Sequence, residues 1–130
     1  MNRPQLIPSG PLAWDSWFAI LKEVTDLTHS SFWEFVRTHR FAVIHFWASW
    51  NGYDVKMREL LDQDVPPEFR SHIAFGALSI DPEEHWEISR QHKIVNLPFL
   101  AFYRDGTLIR TQTGMLRQDD LIEYLRQLTA

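Results

Sequence analysis

The sequence predicts an α/β domain: a central mixed β-sheet flanked by helices, preceded by an extra N-terminal helix. Three observations predict it. "FAVIHFW" (residues 41–47) and "IAFGALSI" (73–80) are unbroken apolar runs with β-branched and aromatic residues, the pattern of strands covered on both faces. Helical periodicity lies between them, so they read as parallel strands joined by crossovers. Towards the C-terminus, "FLAFY" (99–103), Asp105-Gly106 and "TLIRTQTG" (107–114) read as a β-hairpin, which adds antiparallel strands.

Taken in order, residues 1–10, containing Pro4, Pro8 and Gly10, read as a loose arm. In "PLAWDSWFAILKEV", Trp14, Trp17, Phe18 and Leu21 fall on one helical face, and Pro11 suits the first turn. The chain thus divides into an arm with an amphipathic helix (1–22) and the domain proper (23–130). That aromatic stripe is read either as packed on the domain or as a surface for a partner. A short strand is expected near Glu23–Leu27. In "SSFWEFVRTHR", Ser31 and Glu34 have capping-box spacing, and Phe32, Phe35, Val36 and His39 mark the expected buried face. After the strand at 41–47, a helix is expected over Gly52–Asp64, with Met57, Leu60, Leu61 and Asp64 on one face and Pro66-Pro67 as its stop. "DPEE" (81–84) reads as another helix start, with Asp81 as cap and Pro82 at the first position. Leu121, Tyr124, Leu125 and Leu128 mark the last helix.

The chain has 130 residues and 45% hydrophobic composition, which suits one globular domain. Its formal net charge is −4 and no Lys/Arg-rich run occurs, which argues against phosphate-tracking nucleic-acid binding and against a polyanionic membrane surface. The cysteine count is zero. A disulfide, a cysteine nucleophile, a thiolate zinc site and a cysteine-ligated iron–sulfur cluster are therefore excluded for this chain. The glycines lie singly and no H-E-x-x-H occurs, so neither a nucleotide, nor a metal, nor any other cofactor is expected. His29, His39, His72, His85 and His92 read as scattered surface residues. "MNRPQLIPSG" lacks an apolar stretch of signal-peptide length, and no run of about 18 apolar residues exists, so the expected location is cytoplasmic.

Phe46-Trp47-Ala48-x-Trp50-x-Gly52 resembles the thioredoxin motif F-W-A-x-W-C-G-P-C. Leu97-Pro98 resembles that family's hydrophobic residue and cis-proline opposite the active site. Gly106 follows Pro98 by eight residues and Gly114 follows Gly106 by eight, spacings that are also similar to thioredoxin. The resemblance runs from about Glu23 to Leu128 and implies a thioredoxin-like fold. The departures fall on the chemistry. The two motif cysteines are Asn51 and Asp54, and the motif proline is Tyr53. The buried aspartate of the central strand is His45, and the helix-kinking proline is Glu59.

"NGYD" (51–54) therefore has two readings. Asparagine is among the best N-caps, and Asp54 has the spacing to bond back to the cap's N–H, so the stretch can be a helix start alone. Alternatively, the thioredoxin geometry implies that His45 faces Asp54 and the two form a hydrogen-bonded pair. A His–Asp pair is half of a hydrolytic triad, yet no serine lies in a nucleophile elbow, and Ser49 has no evident base. The resemblance also implies a groove for extended polypeptide, here at Trp50, Gly52, Leu97, Pro98 and Gly114, with Tyr53 and Met115 adding apolar surface. Backbone pairing there needs no thiol. The expected function is thus redox-inactive polypeptide binding, in a chaperone-like or adaptor role. The alternatives are a structural subunit docking through Trp14, Trp17, Phe18 and Leu21, and an enzyme using His45 and Asp54.

Overall fold

The computed structural model of the protein describes residues 24–130. The expected N-terminal helix, with Trp14, Trp17, Phe18 and Leu21, lies outside the described residues.

The described chain runs β1 (Val24–Asp26), α1 (Phe32–Thr38), β2 (Phe41–Trp47), α2 (Gly52–Gln63), α3 (Pro67–Arg70), β3 (Ile73–Ser79), a 3₁₀ turn (Glu83–His85), α4 (Trp86–Gln91), β4 (Phe99–Arg104), β5 (Thr107–Thr113) and α5 (Gln118–Thr129). The strands form one sheet in the order β1-β3-β2-β4-β5. β1 and β2 both run parallel to β3, while β4 pairs antiparallel with β2 and β5. β2 is the central strand, and its first six residues are all buried. An unbroken apolar run is the sequence signature of such a strand, because both of its faces must be covered.

Each face carries its own core. On one, Met57, Leu60 and Leu61 of α2 and Leu121, Leu125 and Leu128 of α5 pack on Val43, Phe75 and Phe102. On the other, Phe32 and Val36 of α1 and Ile88 of α4 pack on Ile44, Phe46 and Leu78. The β4–β5 turn uses Asp105 (φ 52°) and Gly106 (φ 79°), the doubly left-handed backbone for which Asp-Gly is selected.

The structure departs from the expected local detail where side chains found other partners. Ser31 does not cap α1. Its backbone is helical (φ −108°, ψ −10°), and its hydroxyl accepts from the Thr28 N–H at 2.9 Å. His39 is exposed beyond the end of α1, while Phe35 is half-buried. α2 ends at Gln63, ahead of Pro66-Pro67 as expected, and Pro67 is then the first residue of α3, a role its fixed φ allows. Asp81 does not cap a helix, because a 3₁₀ turn starting at Glu83 comes before α4.

Two histidines expected at the surface are buried, His85 and His92. The His85 Nδ1–H donates to the Ser79 carbonyl at 2.7 Å. His92 closes α4 and turns its ring into the second core, against Phe46 with centroids 4.7 Å apart. Its Nδ1–H donates to the Ile88 carbonyl at 2.8 Å, and its Nε2 accepts from the Tyr103 hydroxyl. Both ring nitrogens are thus satisfied by a neutral imidazole, as burial demands.

Burial pushes His92 below the usual histidine value of 6.5, against a smaller opposing effect of the Ile88 carbonyl, and pushes Tyr103 up to about 12. The unfolded chain takes up a proton near pH 6.5 that the folded chain refuses. Stability contributed here is complete above about 6.5 and falls as pH drops below it. In urea titrations between pH 7 and pH 5, the wild-type midpoint should fall more steeply than that of His92→Phe. The variant should itself lose about 1 kcal/mol at pH 7 through the stranded Tyr103 hydroxyl. Parallel slopes would show that His92 does not carry the acid sensitivity.

Candidate functional site

β2 ends at Trp47 and α2 begins at Gly52, so the four-residue loop 48–51 sits at the C-terminal end of the central strand. Asn51 has extended backbone (φ −105°, ψ 110°), and its Oδ1 accepts from the Tyr53 N–H at 2.9 Å, which makes it the N-cap of α2. Asp54 does not complete a capping box. The Asn51 N–H bonds the Ala48 carbonyl at 3.2 Å, and the Asp54 carboxylate turns inward.

Inside, Asp54 Oδ1 accepts from His45 Nε2 at 2.9 Å, and Oδ2 accepts from the Ala48 N–H at 3.1 Å. His45 is 1% exposed and Asp54 is 4% exposed. His45 therefore joins the central strand to the helix above it, and Ala48 joins the loop to both. The His45 Nδ1 has no hydrogen-bond partner among the described residues. Both carboxylate oxygens are engaged, and among the described residues no hydroxyl is hydrogen-bonded to the pair.

Ser49 is anchored on the other side of the loop. Its N–H and its hydroxyl both donate to Asp81 Oδ2, at 3.1 and 2.9 Å. Those bonds, the backbone one first, hold the Asp81 carboxyl below the usual carboxylate range. They also explain why Asp81 is unavailable as a helix cap. Ser49 faces a carboxylate with no imidazole between them.

The residues expected to line a groove separate into two groups. Leu97 and Pro98, joined by a cis peptide bond, are buried. Gly114 (φ 95°) is half-buried, and its N–H donates to the Pro98 carbonyl at 2.8 Å. By contrast, Trp50 is 71%, Tyr53 62% and Met115 38% exposed. Sequence reasoning missed Val95, which is 89% exposed and stands two residues before Leu97. Asn51 Nδ2 reaches the Leu97 carbonyl at 3.5 Å, so the 48–53 segment, the 95–98 segment and the 114–115 segment converge at one end of the sheet.

A cavity of about 430 Å³ flanks α2, lined in part by Trp47, Asn51, Asp54, Val55, Arg58 and Asp62. Its lining includes Asp54 but not His45. At its lower end Arg58 bonds Asp62 one helical turn on at 3.4 Å, and Asp26 of β1 at 3.2 Å, tying the helix to the sheet edge. No cluster of three or more potential metal ligands occurs among the described residues. None of the described helices is long and apolar enough to cross a membrane.

Comparison with known proteins places this geometry. The thioredoxin family model matches residues 23–127. The chain is 27% identical over 111 residues to protein disulfide isomerase-like 1-3 of Arabidopsis thaliana, covering 82% of this chain and 18% of that protein. It is 31% identical over 72 residues to monothiol glutaredoxin-S17 of the same plant, covering 55% of this chain and 14% of that protein. The chain thus spans less than a fifth of the length of these two relatives. Among solved structures, Malassezia sympodialis thioredoxin superposes with a TM-score of 0.72 at 21% identity, covering 84% of this chain and 93% of that one. Mitochondrial thioredoxin 3 of Saccharomyces cerevisiae gives a TM-score of 0.68 at 21% identity, covering 80% and 94%.

The Asp54 carboxylate satisfies two buried donors at once. Asp54→Ala should cost about 2–4 kcal/mol in chemical denaturation, because it strands the His45 N–H and the Ala48 N–H together. Asp54→Asn retains one acceptor oxygen and should cost less. A loss below about 0.5 kcal/mol for the alanine variant would show that the pair does not hold the loop.

Proposed function

The chain belongs to the thioredoxin family, and we propose that it is a redox-inactive member that binds polypeptide, in a chaperone-like or adaptor role, rather than exchanging disulfides. Thiol–disulfide exchange requires an attacking thiolate, and this chain has no cysteine. The residues at the two thiol positions have structural work instead: Asn51 caps α2 and Asp54 pins it to β2.

One observation carries the reading. Trp50, Tyr53, Val95 and Met115 expose large apolar side chains on segments that converge on Leu97-Pro98. Aromatic residues and methionine are favoured at contact surfaces, because they offer area at little conformational cost and adapt to the partner. The loop that carries Trp50 is held from two sides, by Asp54 and Asp81, so the aromatic is presented by a fixed support. The His45–Asp54 pair supports structure rather than catalysis in this reading, since it is buried and the adjoining cavity reaches only Asp54.

Adding unfolded, apolar-rich peptides to isotope-labelled protein should shift NMR resonances of Trp50, Tyr53, Val95 and Met115. Trp50→Ala should weaken binding about tenfold, or roughly 1.4 kcal/mol. Shifts confined to residues 14–21 would instead favour docking through the N-terminal aromatic stripe. The purified protein should leave insulin disulfides intact in a reduction assay, and measurable turnover would overturn the reading.

A further inference from the structure

The β4 ladder ends at Pro98, and the backbone groups just beyond its end are already occupied. Phe99 is the last β4 residue paired on both sides, with Phe46 of β2 and Thr113 of β5. The Gly114 N–H extends the ladder to the Pro98 carbonyl, and Pro98 has no N–H to offer. Leu97 is therefore the first position beyond the sheet with both a backbone donor and a backbone acceptor. Backbone groups left over at the end of a ladder can pair with an extended chain.

Neither group is free. The Leu97 N–H donates to Asn96 Oδ1 at 2.9 Å. The Leu97 carbonyl accepts from Asn51 Nδ2 at 3.5 Å, a long bond. The Asn51 amide is aimed by its other end, since its Oδ1 is fixed by the Tyr53 N–H as the cap of α2. Short polar side chains that bond nearby backbone compete with strand pairing in this way. The buried Leu97 and Pro98 side chains leave an incoming chain little else to meet at that point.

We infer that Asn51 and Asn96 cap the Leu97 backbone and so determine specificity at this site: the polypeptide is recognised by its apolar side chains, with its backbone left unpaired. The inference rests on the polypeptide-binding reading and narrows it. An incoming backbone at Leu97 would first have to displace these bonds, the 2.9 Å bond to Asn96 above all, and would gain correspondingly less. Trp50, Tyr53, Val95 and Met115, all outside that cap, offer surface without such competition.

Two measurements test it. In the free protein, the Leu97 amide should exchange its hydrogen slowly, and Asn96→Ala should accelerate exchange about tenfold or more. Equal rates would overturn the cap. The second measurement compares a short Leu- and Phe-rich peptide with the same peptide N-methylated at alternate residues. Wild type should bind both within about twofold. Asn51→Ser combined with Asn96→Ala keeps a helix-capping oxygen but removes both contacts to Leu97, and should favour the unmethylated peptide about fivefold. A tenfold loss on methylation in wild type would overturn the inference, because backbone pairing would then be in use. If neither peptide binds, the binding reading fails, and the exchange rates alone decide whether the cap exists.

Discussion

A carboxylate buried at the head of a helix must find donors. Asp54 finds one in the central strand and one in the loop between strand and helix. Much of the site's geometry follows from that constraint. β2 is buried on both faces, so His45 within it needs a partner of its own. Meeting that need brings the start of α2 down onto β2 and folds the Ala48 N–H over the second carboxylate oxygen. With Asp54 inward, its neighbour Tyr53 lies about 100° around the helix and faces solvent, as the 3.6-residue period requires. Trp50, on the loop so fastened, is also left outside.

The same positions explain how a scaffold associated with thiol chemistry can stand without thiols. The helix start is held by a neutral cap, Asn51, and an inward acid, Asp54, both chemically inert towards disulfides. A second anchor, Ser49 on Asp81, holds the loop from the β3 side. Rigidity at this end of the sheet lowers the ordering cost of any contact made by Trp50 or Tyr53. In the binding mode proposed above, the asparagines around Leu97 would separate side-chain contact from backbone pairing.

Much of the architecture was legible in the sequence, since long apolar runs and the Asp105-Gly106 turn are local signals of high information. The Asn51 cap was legible for the same reason: its bond spans two residues. Other details were decided by distance. Ser31 has the spacing of a capping box but found Thr28, three residues upstream. Asp81 has the position of a cap, yet its carboxylate is held by Ser49, 32 residues away. His92 looks like a surface histidine in a polar stretch, and only the approach of Tyr103 from β4 makes its burial tolerable. Val95 and Asn96 carried no signal at all, because exposure beside a buried Leu97 is a property of the assembled end of the sheet.

The sequence by itself determined that this chain carries no thiol, the alternation of strands and helices, and the cap that opens α2. Each depends on composition or on residues a few positions apart, where covalent geometry limits the outcomes. The tertiary structure decided which acid caps and which is buried, which histidine is satisfied within the core, and whether the Leu97 edge is open. Those outcomes turn on buried polar groups choosing among donors far apart in the chain, and that choice exists only once the sheet has brought them together.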